Sequence, residues 1–377
     1  MDDLLVNRHV FIKHYNCALY DVESIPLEER QHSIHGVYMV SISMFLEVLC
    51  GLCLYAISRP QLISSPSYKL MFALELSEMI EIFVVGIAAA IFGFFGMVYC
   101  SNPTVSYLVG ATATGIWYFE GQISVVLAFN RCLIMYDGNY AKQFFDGYKV
   151  FVYILFAILS AVCMLGFGAP VVYSGAGGGF FFDPHVGYLS RDPYFFNHLH
   201  FVFNHAVPLA LIIIYVVFGI LIYRQKKLGR RHHVIAKKEL SLFFQISIIC
   251  FLTIISCIGY AYEGFFDQYK VLVTITADAY LLYLGSPAFV YLLLNKSIRR
   301  EVTKLLTWLL TSSDVVSFDT ETDSKNTKTV RQESLLISLR ILEKPEVPPH
   351  FKLQNPFKRP EVEPQEATNV IEKDKNL

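Results

Sequence analysis

Long apolar stretches without Lys or Arg constrain this chain more than any other feature of its sequence. An α-helix needs roughly 20 apolar residues to cross the hydrocarbon core of a bilayer, and seven stretches reach that length. None of the seven contains Lys or Arg, and the fourth, fifth and sixth also lack Asp and Glu. They cover approximately residues 34–57, 70–98, 104–130, 150–173, 201–223, 240–262 and 271–294.

The composition argues against an ordinary soluble fold. Of the 377 residues, 54% are hydrophobic and 17% are charged, whereas soluble domains average roughly 25% charged residues. A large soluble helical protein with buried core helices is the alternative, but soluble helices of this length would carry a charged face. The sequence therefore predicts an all-α membrane protein in which residues 34–294 form a seven-transmembrane-helix bundle.

The positions of the basic residues predict how this bundle is oriented. Lys and Arg in short loops are retained on the cytoplasmic side of a membrane. The loops on one side hold only Arg191 and Lys270, with Arg8, Lys13 and Arg30 in the tail before the first helix. The loops on the other side hold Arg59, Lys69, Lys142, Lys149, Arg224, Lys226, Lys227, Arg230, Arg231, Lys237, Lys238, Lys296, Arg299 and Arg300. We therefore expect residues 1–33 to be an extracellular N-terminal tail and the C-terminus to be cytoplasmic.

Two of the eight cysteines, Cys17 and Cys100, lie on the outer side in this predicted topology. That compartment is oxidising, so such a pair is expected to form a disulfide bond. Two free thiols, or a bond to another chain, are the alternatives. The remaining cysteines fall within or at the ends of predicted helices, where a thiol is usually a small packing residue.

The chain changes character after residue 294. Residues 295–310 combine basic and apolar side chains in a pattern typical of an amphipathic helix on a membrane surface, which makes membrane lipid an expected partner. Residues 311–377 are rich in Ser, Thr, Pro and charged residues, and this composition predicts a disordered cytoplasmic tail. Hydroxyls such as Ser312 and Thr320 are candidate phosphate acceptors, which would add a kinase and arrestin as partners. An unmodified, solvated tail is the alternative.

Short motifs in the N-terminal tail and at the helix ends form a recognisable pattern. They are Tyr15-Asn16-Cys17, Tyr20-Asp21, Ile25-Pro26, Glu29-Arg30, Cys100-Ser101-Asn102-Pro103, Leu127-Ala128-Phe129-Asn130-Arg131-Cys132 and Ser286-Pro287-Ala288-Phe289-Val290-Tyr291. In order and spacing they resemble the nematode Srt-type serpentine chemoreceptor family. The resemblance covers about residues 15–302.

This resemblance implies a GPCR-like receptor in the plasma membrane of sensory neurons. Such a receptor would bind a small extracellular molecule and activate a heterotrimeric G protein. The chain departs from the broader rhodopsin-like pattern, because Asn130 stands where an acid usually precedes the Arg of the third helix. Tyr291 also follows Pro287 by four residues instead of three. The details of the rhodopsin-like activation switch are therefore not carried over.

Arg131, at the predicted inner end of the third helix, is the residue that we expect to act as an activation switch. An Arg at the membrane boundary is costly unless it reaches water or finds acceptors, so helix arrangements that offer it different partners differ in energy. Asn130, Pro287 and Tyr291 complete the predicted site of G-protein coupling. An Arg that only anchors the helix at the interface is the alternative.

Acidic residues inside the predicted helices indicate a second site. Glu75, Glu78 and Glu81 recur at three-residue spacing along one side of the second helix. Ionisable groups at membrane depth tend to face cavities or partners. The predicted ligand or ion pocket consists of Glu78, Glu120, Asp278 and Tyr260. A cation site and a set of neutral carboxyl groups hydrogen-bonded between helices both fit this pattern.

Enzyme chemistry is not indicated by any motif. The sequence lacks a P-loop, a zinc-binding helix with paired His and a nucleophile elbow. We therefore expect no catalysis, no cofactor, no metal site and no nucleic-acid partner. The alternative function is a transporter or channel that moves small ions or solutes with the help of the intramembrane acids. Transporters commonly carry internal repeats, and this sequence shows none.

Overall fold

The computed structural model describes the backbone of residues 8–227, 233–262 and 270–318. The chain divides into two compact units, Met1–Leu310 and Thr311–Leu377. The described part of the second unit is the end of a helix that reaches Phe318. Most of the predicted disordered tail, residues 319–377, lies outside the described residues.

In the described residues, seven long helices follow one another and an eighth comes after them. They are α1 (Ser33–Ile57), α2 (Pro66–Phe94), α3 (Pro103–Tyr136), α4 (Lys149–Phe167), α5 (His198–Lys227), α6 (His233–Tyr262), α7 (Lys270–Leu294) and α8 (Lys296–Phe318). Within α2, residues Ile82–Ala88 form a π-helical segment. Short helical turns occur at Arg8–His14, Cys17–Leu19, Val22–Ser24, Leu27–Arg30, Pro60–Ile63, Tyr99–Ser101, Gly138–Phe145 and Pro193–Phe195.

The bundle has its apolar side chains both inside and outside. The helix α3 packs against α2, α4 and α5, and α6 packs between α5 and α7. Tyr118 and Ile123 of α3 are fully buried, whereas Phe156 of α4 is 68% exposed. An exposed apolar surface of this kind suits contact with lipid. Among the described residues, five helical stretches are long and apolar enough to span a membrane, and they correspond to α1, α2, α4, α5 and α7.

Proline residues begin two of these helices, and a glycine-proline pair ends a third. Pro66 and Pro103 occupy the first turns of α2 and α3, where a missing N–H costs nothing. The helix α4 ends at Phe167, so its predicted extension to Tyr173 is wrong. Gly168 is extended, and Pro170 has no N–H to continue the helical hydrogen bonds.

The predicted end of α2 at Val98 is also wrong, because the helix ends at Phe94. Gly96 follows with φ +59, a left-handed conformation that favours glycine. The backbone N–H of Met97 donates to the carbonyl of Phe92 at 2.8 Å and completes the turn. The chain therefore leaves the bundle earlier than its run of apolar residues suggests.

A two-stranded antiparallel hairpin lies between α4 and α5. Its strands are β1 (Val172–Ser174) and β2 (Gly179–Phe181), with Tyr173 opposite Phe180. The backbone of the hairpin approaches α3 so closely that a Cβ atom on Gly110 would lie 1.6 Å from the carbonyl oxygen of Val171. Glycine is therefore required at this contact.

The N-terminal segment, predicted as a tail, is folded onto the same end of the bundle. We refer to residues 8–32, 95–102 and 168–197 as the N-terminal face. A disulfide joins Cys17 to Cys100, which is the pairing that the sequence predicts. The guanidinium of Arg30, which is 4% exposed, donates to the carbonyl of Gly96 at 2.9 Å and to the carboxylate of Glu23 at 2.6 Å. This segment is therefore attached to the start of α3 and to the end of α2.

The opposite end, which we call the C-terminal face, consists of residues 58–65, 137–148 and 295–310. Asn295 caps α8, because its side-chain oxygen accepts the backbone N–H of Ser297 at 3.1 Å. Ile298 and Val302 are buried under the bundle, while Trp308 on the same helix is 64% exposed. This division fits the predicted amphipathic helix, whose end lies at Phe318 instead of residue 310.

Candidate functional site

Three small adjoining cavities lie beneath the hairpin at the N-terminal face. Phe180 of β2 and Tyr260 of α6 contribute to the walls of all three. The outermost, about 70 Å³, lies among aromatic residues of the loop before α5 and the start of that helix. The hairpin therefore covers a set of cavities that extends from the N-terminal face into the bundle.

The innermost cavity, about 30 Å³, reaches residues from six parts of the fold. Trp117 of α3, Tyr260 of α6 and Tyr280 of α7 supply rings to its wall, and Glu81 of α2 supplies a carboxyl group. The Tyr280 ring stands nearly perpendicular to the Trp117 ring, with centroids 5.3 Å apart. Its hydroxyl donates to Oε1 of Glu81 at 3.1 Å.

A polar chain holds Trp117 in place. The indole N–H donates to the side-chain oxygen of Asn204 at 2.8 Å, and the Asn204 amide lies 3.4 Å from Nε2 of His200. All three residues are buried. Because a buried indole N–H without an acceptor would be costly, the hydrogen bond to Asn204 keeps the ring of Trp117 in one orientation.

The outer cavity is polar at its rim. Burial raises the pKa of Asp183, although the backbone N–H groups of His185 and Asp192 donate to its carboxyl group. The ring of His14 in the N-terminal segment bonds the carboxylate of Asp192 at 3.1 Å. Charged side chains at the rim thus connect the N-terminal segment to the loop that covers the cavities.

The structure brings only one of the predicted pocket residues to the described cavities. Tyr260 contributes to their walls, whereas Asp278 bonds Nε2 of His35 at 3.0 Å across α1 and α7. Glu78 and Glu120 are buried deeper, with exposed fractions of 1% and 0%. The predicted set is therefore divided between the cavity and the interior of the bundle.

The deeper acids form a cluster without basic partners. None of the ion pairs among the described residues includes Glu75, Glu78 or Glu120. Both carboxyl oxygens of Glu120 lack a hydrogen-bond donor, since the nearby Ser77 hydroxyl donates to the carbonyl of Leu74 at 2.7 Å. Unpaired carboxylates are costly in such surroundings. A proton or a cation is therefore needed to make this cluster stable.

Near the C-terminal face, the half-buried side chain of Arg131 extends towards α2. Its Nη2 atom lies 3.0 Å from Sδ of Met71 in α2. The guanidinium is also near enough to interact electrostatically with the hydroxyls of Tyr68, Tyr215 and Tyr291. Three other helices therefore offer partners to one cation.

The residues predicted to accompany Arg131 are buried beside it. Asn130 accepts a hydrogen bond from the Ser67 hydroxyl at 2.6 Å, which links α3 to α2. Pro287 has no N–H, so the carbonyl of Tyr283 one turn earlier lacks its usual backbone donor. The Ser286 hydroxyl donates to this carbonyl instead, at 2.8 Å. Tyr291 is 7% exposed one turn later. The predicted coupling residues thus lie between the helices, inside the bundle.

A larger groove of about 790 Å³ lies on the outside of α2, α3 and α4. Its lining is almost entirely apolar and includes exposed side chains such as Ile80, Ile158 and Val162. Acyl chains suit such a surface better than a polar ligand does. We therefore place the candidate ligand site beneath the hairpin.

Comparison with known proteins decides the family. A family model described as "Serpentine type 7TM GPCR chemoreceptor Srt" matches residues 4–314. The chain belongs to the Srt chemoreceptor family. This match includes the disulfide, the covered cavities and Arg131, and it confirms the resemblance that the short motifs indicate. The Srt family is one of chemoreceptors and not of enzymes.

The fold of this Srt protein agrees with a solved seven-helix structure. The crystal structure of squid rhodopsin matches with a TM-score of 0.56 and 15% sequence identity, covering 79% of this chain and 90% of that chain. No curated protein matches the chain. The predicted seven-helix, GPCR-like membrane fold is therefore confirmed.

Sequence reasoning missed most of the cavity lining. Glu81 was visible as the third acid of the α2 stripe, and Trp117 as an aromatic residue inside a helix. Neither pattern says which face of a helix turns towards a cavity. The sequence marks Phe180 only as part of a glycine- and phenylalanine-rich loop and His200 only as a residue near the start of α5, and their meeting at one cavity depends on how the loop between α4 and α5 folds.

Proposed function

We propose that this Srt protein is a chemosensory receptor that binds a small molecule at its N-terminal face and activates a heterotrimeric G protein at its C-terminal face. The observation that carries the proposal is the family match over residues 4–314, which includes both faces. The cavities beneath the hairpin suit a small ligand. The half-buried Arg131 provides a cation whose partners change when the helices move.

The orientation of the protein in the membrane is part of this proposal. The charge distribution of the loops supports an extracellular N-terminus and a cytoplasmic C-terminus. Residues 1–33 are then the extracellular segment, residues 34–294 the transmembrane domain, residues 295–310 the membrane-surface helix and residues 311–377 the cytoplasmic tail. The protein would lie in the plasma membrane of a sensory neuron, and kinase and arrestin would act on the tail.

Coupling between the two faces requires two helix arrangements of similar energy. A ligand shifts such an equilibrium only by its differential affinity for the two arrangements. Tyr280 and Pro287 both lie in α7, so a rotation or tilt of this helix would change the cavity and the surroundings of Arg131 together. The proposal thus assigns the connection between ligand and G protein to α7.

A ligand screen tests the proposed function. Cells expressing the full chain with an N-terminal epitope would be exposed to a library of small water-soluble and volatile molecules, with activation of co-expressed G proteins as the readout. At least one compound should activate the parent chain and fail to activate cells without it. A chain that moves ions or solutes into vesicles and activates no G protein would instead be a transporter or channel.

A further inference from the structure

The innermost cavity is built as an aromatic cage. Tyr260 and Tyr280 meet at 83° with ring centroids 5.2 Å apart, and Tyr280 meets Trp117 at 79°. Phe180 of the hairpin adds a fourth ring to the cavity wall. The Trp117, Tyr260 and Tyr280 rings thus form two edge-to-face pairs, and all three contribute to the wall of this cavity. The face of an aromatic ring carries partial negative charge and attracts cations.

The carboxyl group in the same wall is incompletely bonded. Glu81 is 1% exposed, and its Oε1 atom accepts the hydroxyl of Tyr280. Its Oε2 atom has no hydrogen-bond partner. None of the ion pairs among the described residues includes Glu81. Glu81 belongs to the cavity wall, so a ligand in the cavity that reaches its carboxyl group can supply the missing donor.

Acidic residues near Glu81 make a cation beside it more stabilising. Glu120 of α3 lies close enough to interact electrostatically with it, and Glu78 interacts with Glu120 in turn. Neighbouring acids in a region of low dielectric constant make an unbalanced negative charge costly. A cation next to Glu81 relieves this cost, whereas a neutral molecule does not.

We propose that this cavity binds a small organic ammonium ion, and that such ions are the class of ligand recognised by the receptor. The ammonium group donates to Oε2 of Glu81 and lies against the faces of Trp117, Tyr260 and Tyr280. Its alkyl part extends past Phe180 into the adjoining cavity near the hairpin. This inference rests on the proposed function only in calling the bound molecule the receptor's ligand.

The volume and the wall argue for an organic cation of limited size. The innermost cavity holds about 30 Å³ and the outermost about 70 Å³, so a short amine fits and a bulky one does not without movement of the hairpin. A bare metal ion would need several oxygen ligands. The innermost wall offers one carboxyl group, and its other side chains are aromatic or apolar apart from Thr114, whose hydroxyl donates to the carbonyl of Gly110 at 2.9 Å.

The test is direct binding to the purified full chain in detergent, with Trp117 as the reporter. The chain has two tryptophans, and Trp308 lies exposed on α8, so Trp308→Phe leaves a single indole in the cavity wall. Isopentylammonium and its neutral analogue isopentanol are titrated at neutral pH. We expect the ammonium to change Trp117 fluorescence saturably, with an affinity about tenfold or more above that of the alcohol.

Substitutions identify the side chain that is responsible for the preference for the ammonium ion over the alcohol. Glu81→Gln keeps the shape of the side chain and removes its charge, so the ammonium should lose its advantage over the alcohol. Glu75→Gln is the matched control, because it neutralises a fully buried acid of the same helix that does not contribute to the described cavity walls. If Glu81→Gln does not fold, Tyr260→Leu supplies a second test by removing one ring, and it should weaken ammonium binding alone.

Several outcomes would overturn the inference. Equal binding of ammonium and alcohol would do so, as would an ammonium preference that survives Glu81→Gln or that Glu75→Gln removes equally. A saturable signal from sodium chloride alone would assign the site to a metal ion instead. No G protein takes part in this measurement. A chain that binds the ammonium but activates no G protein would therefore contradict the proposed function and leave this inference standing.

Discussion

At the scale of single residues, the surroundings of Arg131 are unusual for a cation at the end of a helix. An interfacial Arg that only anchors α3 would extend towards water. Arg131 instead lies against the Met71 sulfur and near three tyrosine hydroxyls from α2, α5 and α7. These acceptors are neutral and weak, so a different arrangement of the helices can replace them at small cost. This is the property that a switch requires.

Replacing Arg131 tests this role. Arg131→Ala should preserve surface expression and ligand binding but reduce G-protein activation severely, because the cation that changes partners is absent. Arg131→Lys should restore only part of the signal, since an ammonium group lacks the planar fork of a guanidinium. Activation would be measured at matched surface levels against Lys142→Ala, which removes an exposed cation from the same face. Normal signalling by Arg131→Ala would leave Arg131 with an anchoring role.

At the scale of elements, the contact between α3 and the hairpin depends on Gly110. A methyl group at this position would overlap the backbone of Val171, which cannot move without displacing the hairpin. We expect Gly110→Ala to lower the free energy of unfolding by about 1–3 kcal/mol. Gly51→Ala in α1 is the control, because its methyl group would meet no atom within 4 Å.

The two glycine substitutions should therefore change stability in opposite directions. Gly51→Ala should stabilise the protein by roughly 0.5–1 kcal/mol, the usual preference of a helix interior for alanine. Thermal unfolding of the detergent-purified chains measures both changes. A Gly110→Ala variant as stable as the parent would show that the hairpin does not rest on α3 as described.

The disulfide between Cys17 and Cys100 connects two other elements of the N-terminal face. It closes a loop with a sequence separation of 83 residues, and the chain-entropy model gives such a loop about 4–5 kcal/mol. Mass spectrometry of unreduced peptides should find Cys17 and Cys100 in one cross-linked species. Alkylation of either thiol in surface-expressed protein, without prior reduction, would contradict the pairing.

At the scale of the whole molecule, the orientation in the membrane is open to a direct test. An epitope placed before Asp21 should be reached by antibody on intact cells, and an epitope after Thr311 only after permeabilisation. The reason is the concentration of Lys and Arg in the loops of one side. Both epitopes go into the same chain, so each is the control for the other. The reverse pattern would reject the orientation and with it the proposed receptor function.

The sequence by itself determined the seven helices and the class of protein. A bilayer requires each spanning helix to be long and internally hydrogen-bonded, and each of the seven predicted stretches reaches the necessary length within its own residues. The order of short motifs was also enough to indicate the Srt family. The predicted ends of α2 and α4 were wrong because Gly96, Gly168 and Pro170 end these helices inside an apolar run.

Only the tertiary structure decided which polar residues meet. Glu75, Glu78 and Glu81 share one stripe of α2, yet only Glu81 lies at the level of the covered cavities. Its environment depends on Tyr280 of α7 and on Phe180 of the hairpin, which are distant in sequence. The depth and rotation of a helix are set by packing against its neighbours. A pattern read along one helix therefore identifies the acids but cannot say which of them faces a cavity.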